Sequence, residues 1–198
     1  VHAYGRGSFA GAVHERLPHV TVEEERRLRN YRIREHFLTR VFASARLRSV
    51  GTGGTMRALV ELHTYKLVLM AYHQTAMREL GRIVANPGSD PFPVVLAAYR
   101  NALPRALARA PRYTSMINVI EHAWGYVSDE VGASETRFYR AQLERYRAGR
   151  VPLSAVTALL WSWALGFERP HLLGQAFFLP YPEALMSGSD SGKGRRRR

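Results

Sequence analysis

Hydrophobic positions recur along almost the whole chain with the 3.6-residue period of an α-helix, and strand-like alternation shows only weakly near the N-terminus. Thr21 followed by Glu24 reads as a capping box. EEERRLRNYRIREHFLTRVFASARLR then runs without Gly or Pro, its acids leading and its arginines closing. SVGTGGT reads as a Gly-rich connector. It lacks the Gly-Lys-Ser/Thr ending of a phosphate loop, and no strand precedes it. The pattern predicts one long helix from Met56 to about Ala85, stopped by NPGSDP. FPVVLAAYRNALPRALARA reads as a helix kinked at Pro104, and SMINVIEHAWGYVSDEV as helical at least to Trp124. SETRFYRAQLERYRAGR opens at Ser134 and is capped by Gly149. PLSAVTALLWSWALGF is apolar nearly all round, which predicts the central buried helix. RPHLLGQAFFLPYPEAL begins as a helix and ends in the rigid LPYP. The fold class is therefore all-α: a bundle of five or six helices with an N-terminal appendage and a disordered basic tail.

Composition narrows the function. No apolar run approaches the roughly 18–20 residues of a membrane span, and VHAYGRGSFAG lacks the pattern of a secretory signal. A soluble, cytoplasmic protein is expected. Cysteine is absent, which excludes disulfides, thiolate nucleophiles, cysteine-ligated zinc and iron–sulfur clusters held by this chain's own thiols. The formal charge is +13. It is spread as +5 over residues 1–50, +4 over 51–110, +1 over 111–150, −1 over 151–186 and +4 over the tail. A polyanion is the partner class this suggests, nucleic acid ahead of membrane. Arginine-rich genome composition and solubility would give the same excess.

Two of the 29 cationic side chains are lysines, and Lys66 is the interior one, in LHTYKLVLMAYHQ. At 100° per residue, Leu59, Val60, Leu62, Leu67 and Met70 share one arc of the predicted helix, and Arg57, Glu61, Thr64, Tyr65 and Tyr72 the opposite one. His63, Lys66 and His73 fall on or beside the apolar arc. Asn118 and His122 form a similar pair four residues apart on another helix. If the two helices face each other, His63, Lys66, His73, Asn118 and His122 converge. Lysine suits a site that needs a compact charge or a tunable amine. A satisfied core network explains the same residues. No H-x-x-x-H or H-E-x-x-H spacing and no nucleophile elbow occurs, so neither a metal site, another cofactor nor a hydrolytic triad is expected. Tyr113, Tyr126, Tyr139 and Tyr146 near Arg112, Arg137, Arg140, Arg145 and Arg147 fit either stacking on bases or packing with an arginine rim.

The motifs LHTYKLVLMAYHQ, LGRIVA, NVIEHAWGY, YRAGRVPLSAVTALL and QAFFLPYPEAL resemble, in order and spacing, the YbgA-like domain over about residues 56–186. The family's motif positions fall on His63, Lys66, His73, Leu80, Gly81, Asn118, His122, Gly125, Tyr126, Pro152, Gln175, Pro180, Tyr181 and Pro182. Met77 and Phe178 depart from its usual residues. Residues 1–50 resemble the C-terminal end of a TudS-like desulfidase domain, with Arg26 where that family has a glycine, and 51–55 form the linker. The cysteines that hold that family's four-iron cluster lie upstream of such a segment. The chain, which starts at Val1, thus looks like a fusion protein without its catalytic half. What the resemblance implies is a domain that engages transfer RNA from which sulfur is removed at thiolated uridine.

Three readings stand. The first is a noncatalytic RNA-binding module, with Lys66, Arg78, Arg82, Arg29, Arg32 and Arg40 on phosphates. The second is a small enzyme or ligand-binding domain using the His/Lys cluster in a closed pocket. The third is a partner-binding role, with Phe37, Val41 and Phe42 in the segment 22–48 seeking a second copy or a separate desulfidase domain. An open basic surface around Lys66 would favour the first and an enclosed pocket the second.

Overall fold

Every regular element among the described residues is helical, as the apolar period requires. The computed structural model describes residues 8–17, 20–51, 53–86 and 88–186. The expected basic tail, 187–198, lies outside them. The described residues form two compact units, one from those up to Gly54 with 180–186 and the other from those within 55–179.

In the first unit, α1 spans Ser8–Arg16, α2 Glu25–Leu28 and α3 Tyr31–Gly51. The expected capping box does not form. Glu24 is the extended residue before α2 and no side chain caps it. The run then restarts at Asn30, whose Oδ1 accepts from the Ile33 N–H at 3.2 Å. Asparagine competes with the backbone for such bonds, so the helix expected to run unbroken from Thr21 is interrupted at Asn30. α3 buries Thr39, Ala43, Leu47 and Val50, one stripe at helical spacing. Phe37, Val41 and Phe42 are half-buried, whereas Leu17, Val20, Val22 and Tyr31 are the exposed large apolar residues of this unit's N-terminal segment. Tyr181 of the LPYP segment is buried, donates its hydroxyl to Glu35, and sets its ring 6.4 Å from that of Phe42. After α3 the chain turns so tightly that a Cβ on Gly54 would lie 1.6 Å from the Val50 carbonyl oxygen. Glycine is required there.

The second unit begins at Thr55, whose hydroxyl accepts from Ala58 N–H and caps α4, Met56–Leu62. A 3₁₀ turn over His63–Tyr65 follows, then α5, Lys66–Tyr72, and α6, Gln74–Ala85. The single helix expected over 56–85 is thus three pieces. α7 is Phe92–Ala106, running through Pro104. α8 is Tyr113–Trp124, α9 Ala133–Arg147, α10 Leu153–Gly166 and α11 Pro170–Leu173. α6 packs on α7, α5 on α8, and α10 on α8, α9 and α11. Six helices of the two units, α3 and α6 to α10, have twelve residues or more, so the all-α class holds while the helices are more often broken than the period alone suggests.

The core of this unit joins Leu67, Met70 and Ala71 of α5 to Val119, Ile120 and Ala123 of α8, Leu143 of α9, and Val156, Leu160 and Ala164 of α10. Trp124 stacks on Tyr139 at 4.2 Å and 11°, and Trp163 meets both rings edge-on. Arg140 lies over Trp124 and Tyr139 while pairing with Glu121, so this tyrosine–arginine group is packing with a cationic rim. Tyr113 and Tyr146 form a second, half-buried pair at 5.5 Å. α10 is not the buried centre its composition suggests: Val156, Leu160 and Ala164 are buried, while Leu165 is 54% exposed. The helix lies against neighbours on one side only.

Candidate functional site: an open basic surface at the start of α5

The 3₁₀ turn determines where Lys66 goes. Three residues per turn instead of 3.6 advance the chain by roughly 20° more per residue, so the arcs drawn for one continuous helix drift apart. Tyr65, placed on the polar arc, is buried, and Val60, placed on the apolar arc, is 52% exposed. The turn also changes the hydrogen bonding. Lys66 N–H donates to the His63 carbonyl, and Leu67 N–H turns to the side chain of Gln175, whose Oε1 accepts it at 3.2 Å. The Gln175 Nε2 donates to the His171 carbonyl at 3.4 Å. One buried amide therefore ties the start of α5 to α11.

That tie links the start of α5, where Lys66 stands, to His171, and Tyr126 links His171 to His122. His122, exposed on α8, shares a 3.4 Å hydrogen bond between its Nε2 and the Tyr126 hydroxyl, and its ring meets Tyr126 edge-on at 5.5 Å. The His171 ring lies 5.4 Å from Tyr126 on the other contact. The His122 pKa is lowered by what burial it has, then by the charges of Lys66 and His171. Arg169 fixes the approach to α11: its Nε donates to the Tyr126 carbonyl, and its guanidinium pairs with Glu130. Lys66 is half-buried and has no carboxylate in ion-pair range among the described residues.

The other residues singled out in the sequence divide. His63 is half-buried at the start of the turn, with Nδ1 3.5 Å from the Tyr99 hydroxyl and Nε2 facing Gly81. Burial, then Lys66, lowers its pKa. His73 does not sit on an apolar arc: it is the exposed, extended residue between α5 and α6, and its Nδ1 accepts from Ala76 N–H as an N-cap. The reason is the break itself, since a helix boundary turns a ring outward that a continuous helix would hold against its neighbour. Asn118 is exposed on α8. Arg78 and Arg82 lie exposed on α6. In the other unit Arg29 and Arg32 are exposed and Arg40 is half-buried, its charge acting on His36. His171 and Gln175 complete the site: sequence spacing could not join His171 to it, though Gln175 stood among the family's motif positions. No group of three His, Asp or Glu able to hold a metal occurs among the described residues.

A family model described as "Protein of unknown function (DUF1722)" matches residues 66–182. The chain belongs to this family. Every residue of the Lys66 surface, with Gln175 and Tyr181, lies inside the matched DUF1722 region. A curated relative, "Uncharacterized protein YbgA" of Escherichia coli (strain K12), is 28% identical over 154 residues, which cover 75% of this chain and 89% of the relative. The domain is thus YbgA-like. No solved structure matches the chain.

Proposed function

We propose that this DUF1722 protein is a noncatalytic RNA-binding module, with transfer RNA as the target and the removal of sulfur from thiolated uridine as the setting. The observation that carries the reading is the half-buried Lys66, without an ion-pair partner among the described residues, acting with the exposed His122 and His171. Such a surface contributes phosphate contacts, which supply affinity and position without reading sequence. Arg78 and Arg82 of α6 are further phosphate contacts on this reading, and Arg29, Arg32 and Arg40 are those assigned to the first unit by itself. The setting follows from the resemblance of residues 1–50 to the end of a TudS-like desulfidase domain; sulfur chemistry would then belong to a separate, cysteine-bearing domain.

The test is tRNA affinity across a salt series, with a variant ending at Leu185 and with Lys66→Ala, circular dichroism confirming the fold. The tail-less protein should bind with a steep salt slope, and Lys66→Ala should bind more weakly, with a log–log slope shallower by about one. If binding disappears with the tail alone, the helical surface is not the RNA site.

A further inference from the structure

Three basic side chains on three different elements are joined through two polar bridges, and none of the three forms an ion pair with a carboxylate among the described residues. Lys66 stands at the start of α5, His122 on α8 and His171 on α11. The buried Gln175 amide fixes the spacing of the first and third by bonding Leu67 N–H and the His171 carbonyl at once. Tyr126 fixes the second and third: its hydroxyl meets His122 Nε2, and its ring contacts both imidazoles. The ring is thereby engaged in positioning the imidazoles and does not stand free as a platform for a base.

We propose that Lys66, His122 and His171 form a single seat for a phosphate group, organised by Tyr126 and Gln175. The source of the phosphate, the RNA backbone, rests on the reading above; the seat itself is a site for a tetrahedral oxyanion. Clustered donors of one sign repel one another when empty, and an anion between them converts that repulsion into attraction. Lysine contributes a fixed charge and the two imidazoles contribute N–H donors once protonated. Filling the seat therefore draws a proton onto His122, and affinity rises as pH falls through the His122 titration. The charges around His122 agree with this. Lys66 faces it from α5 and His171 from α11, and α10 carries no ionisable group. The acids of this region are Glu121, paired with Arg140 of α9, Glu130, paired with Arg169, and Asp129 and Glu168, and none of them forms an ion pair with Lys66, His122 or His171 among the described residues. Burial first, then the charges of Lys66 and His171, lower the His122 pKa, and a bound anion would oppose the charge part of that shift.

The experiment follows the histidine resonances of the full chain by NMR across pH, assigned by H122Q, H171Q and H73Q. The added anion is inorganic phosphate, against chloride at equal ionic strength, and then a short oligouridylate without terminal phosphate. Phosphate should move the His122 titration to higher pH by roughly one unit and shift the His171 resonance. His73, beyond the other end of α5, should not move. Lys66→Met, folded by circular dichroism, should reduce the displacement. If phosphate displaces neither His122 nor His171 relative to chloride, the seat does not exist, whatever tRNA affinity is found. If phosphate acts and the oligouridylate also acts, the seat stands and RNA fills it. If phosphate acts and the oligouridylate does not, the seat stands and the RNA reading of this surface falls.

Discussion

Gln175 shows how a single buried polar side chain can hold a surface site together. Its two hydrogen bonds satisfy a backbone donor freed by the 3₁₀ turn and a backbone acceptor in α11. Gln175→Leu would leave Leu67 N–H buried without a partner, so a loss of about 1–3 kcal/mol in chemical denaturation is expected. The same change should weaken anion binding at His122, because Lys66 and His171 would no longer be held in register; a stable variant with intact binding would remove Gln175 from this role. His36 provides a different residue-scale signature. Burial, then the Arg40 charge, lowers its pKa to about 4. A histidine depressed in the folded state resists protonation, so the stability present above pH 6.5 is lost as pH falls from 6.5 toward 4. Burial raises the neighbouring Glu35, which acts with the opposite sign because its protonated form is favoured in the fold. His36→Gln should flatten the acid limb of stability against pH over that window, and an unchanged limb would show that other groups produce it.

At the scale of elements, helix ends decide where functional side chains point. α9 and α10 close with the same pair of backbone bonds. Arg150 N–H reaches the Arg145 carbonyl and Gly149 N–H that of Tyr146, while Arg169 N–H reaches Ala164 and Glu168 N–H reaches Leu165. Both motifs need a left-handed residue, and Gly149 takes φ +68 while Glu168 takes φ +51. Glycine adopts that conformation without steric penalty, and other L-residues at a cost of about 1–2 kcal/mol. Gly149→Ala should therefore lower stability by about 1 kcal/mol and Glu168→Gly raise it by a similar amount, both read from urea midpoints. A destabilised Glu168→Gly variant would mean that the Glu168 side chain contributes something its turn conformation does not reveal. The Glu168 turn aims Arg169 at Tyr126 and Glu130 and starts α11, which carries His171. Thr55 is the corresponding device at the start of α4. Thr55→Ala should cost about 1 kcal/mol through loss of its bond from Ala58 N–H, measured in the same denaturation series.

Over the whole molecule, a net charge of +13 favours polyanions at long range, whereas the proposed phosphate seat at Lys66 would act through local contact. These are separable in principle: charge anywhere on the chain steepens a salt slope, but only a defined cluster changes a particular histidine resonance. No helix among the described residues is long and apolar enough to cross a membrane. The two units also use their aromatic residues differently. The first buries Tyr181 on α3, and the second builds its core around Trp124, Tyr139 and Trp163.

By itself the sequence determined the helical class, the Gly149 cap, the NPGSDP stop, the absence of thiol chemistry, and Lys66 as the unusual cation. All of these depend on local period, local backbone preference or plain residue counts. Only the tertiary structure decided that the helix predicted over 56–85 breaks at His63–Tyr65 and at His73, because a continuous apolar period conceals a break whose freed N–H is satisfied by a glutamine 108 residues away. It likewise turned His73 outward, set His63 against Tyr99 while the Lys66 charge still acts on it, and added His171 through Gln175 and Tyr126. A site assembled from residues 66, 122 and 171 has no spacing to read. Long-range packing and one buried hydrogen-bond bridge bring it together.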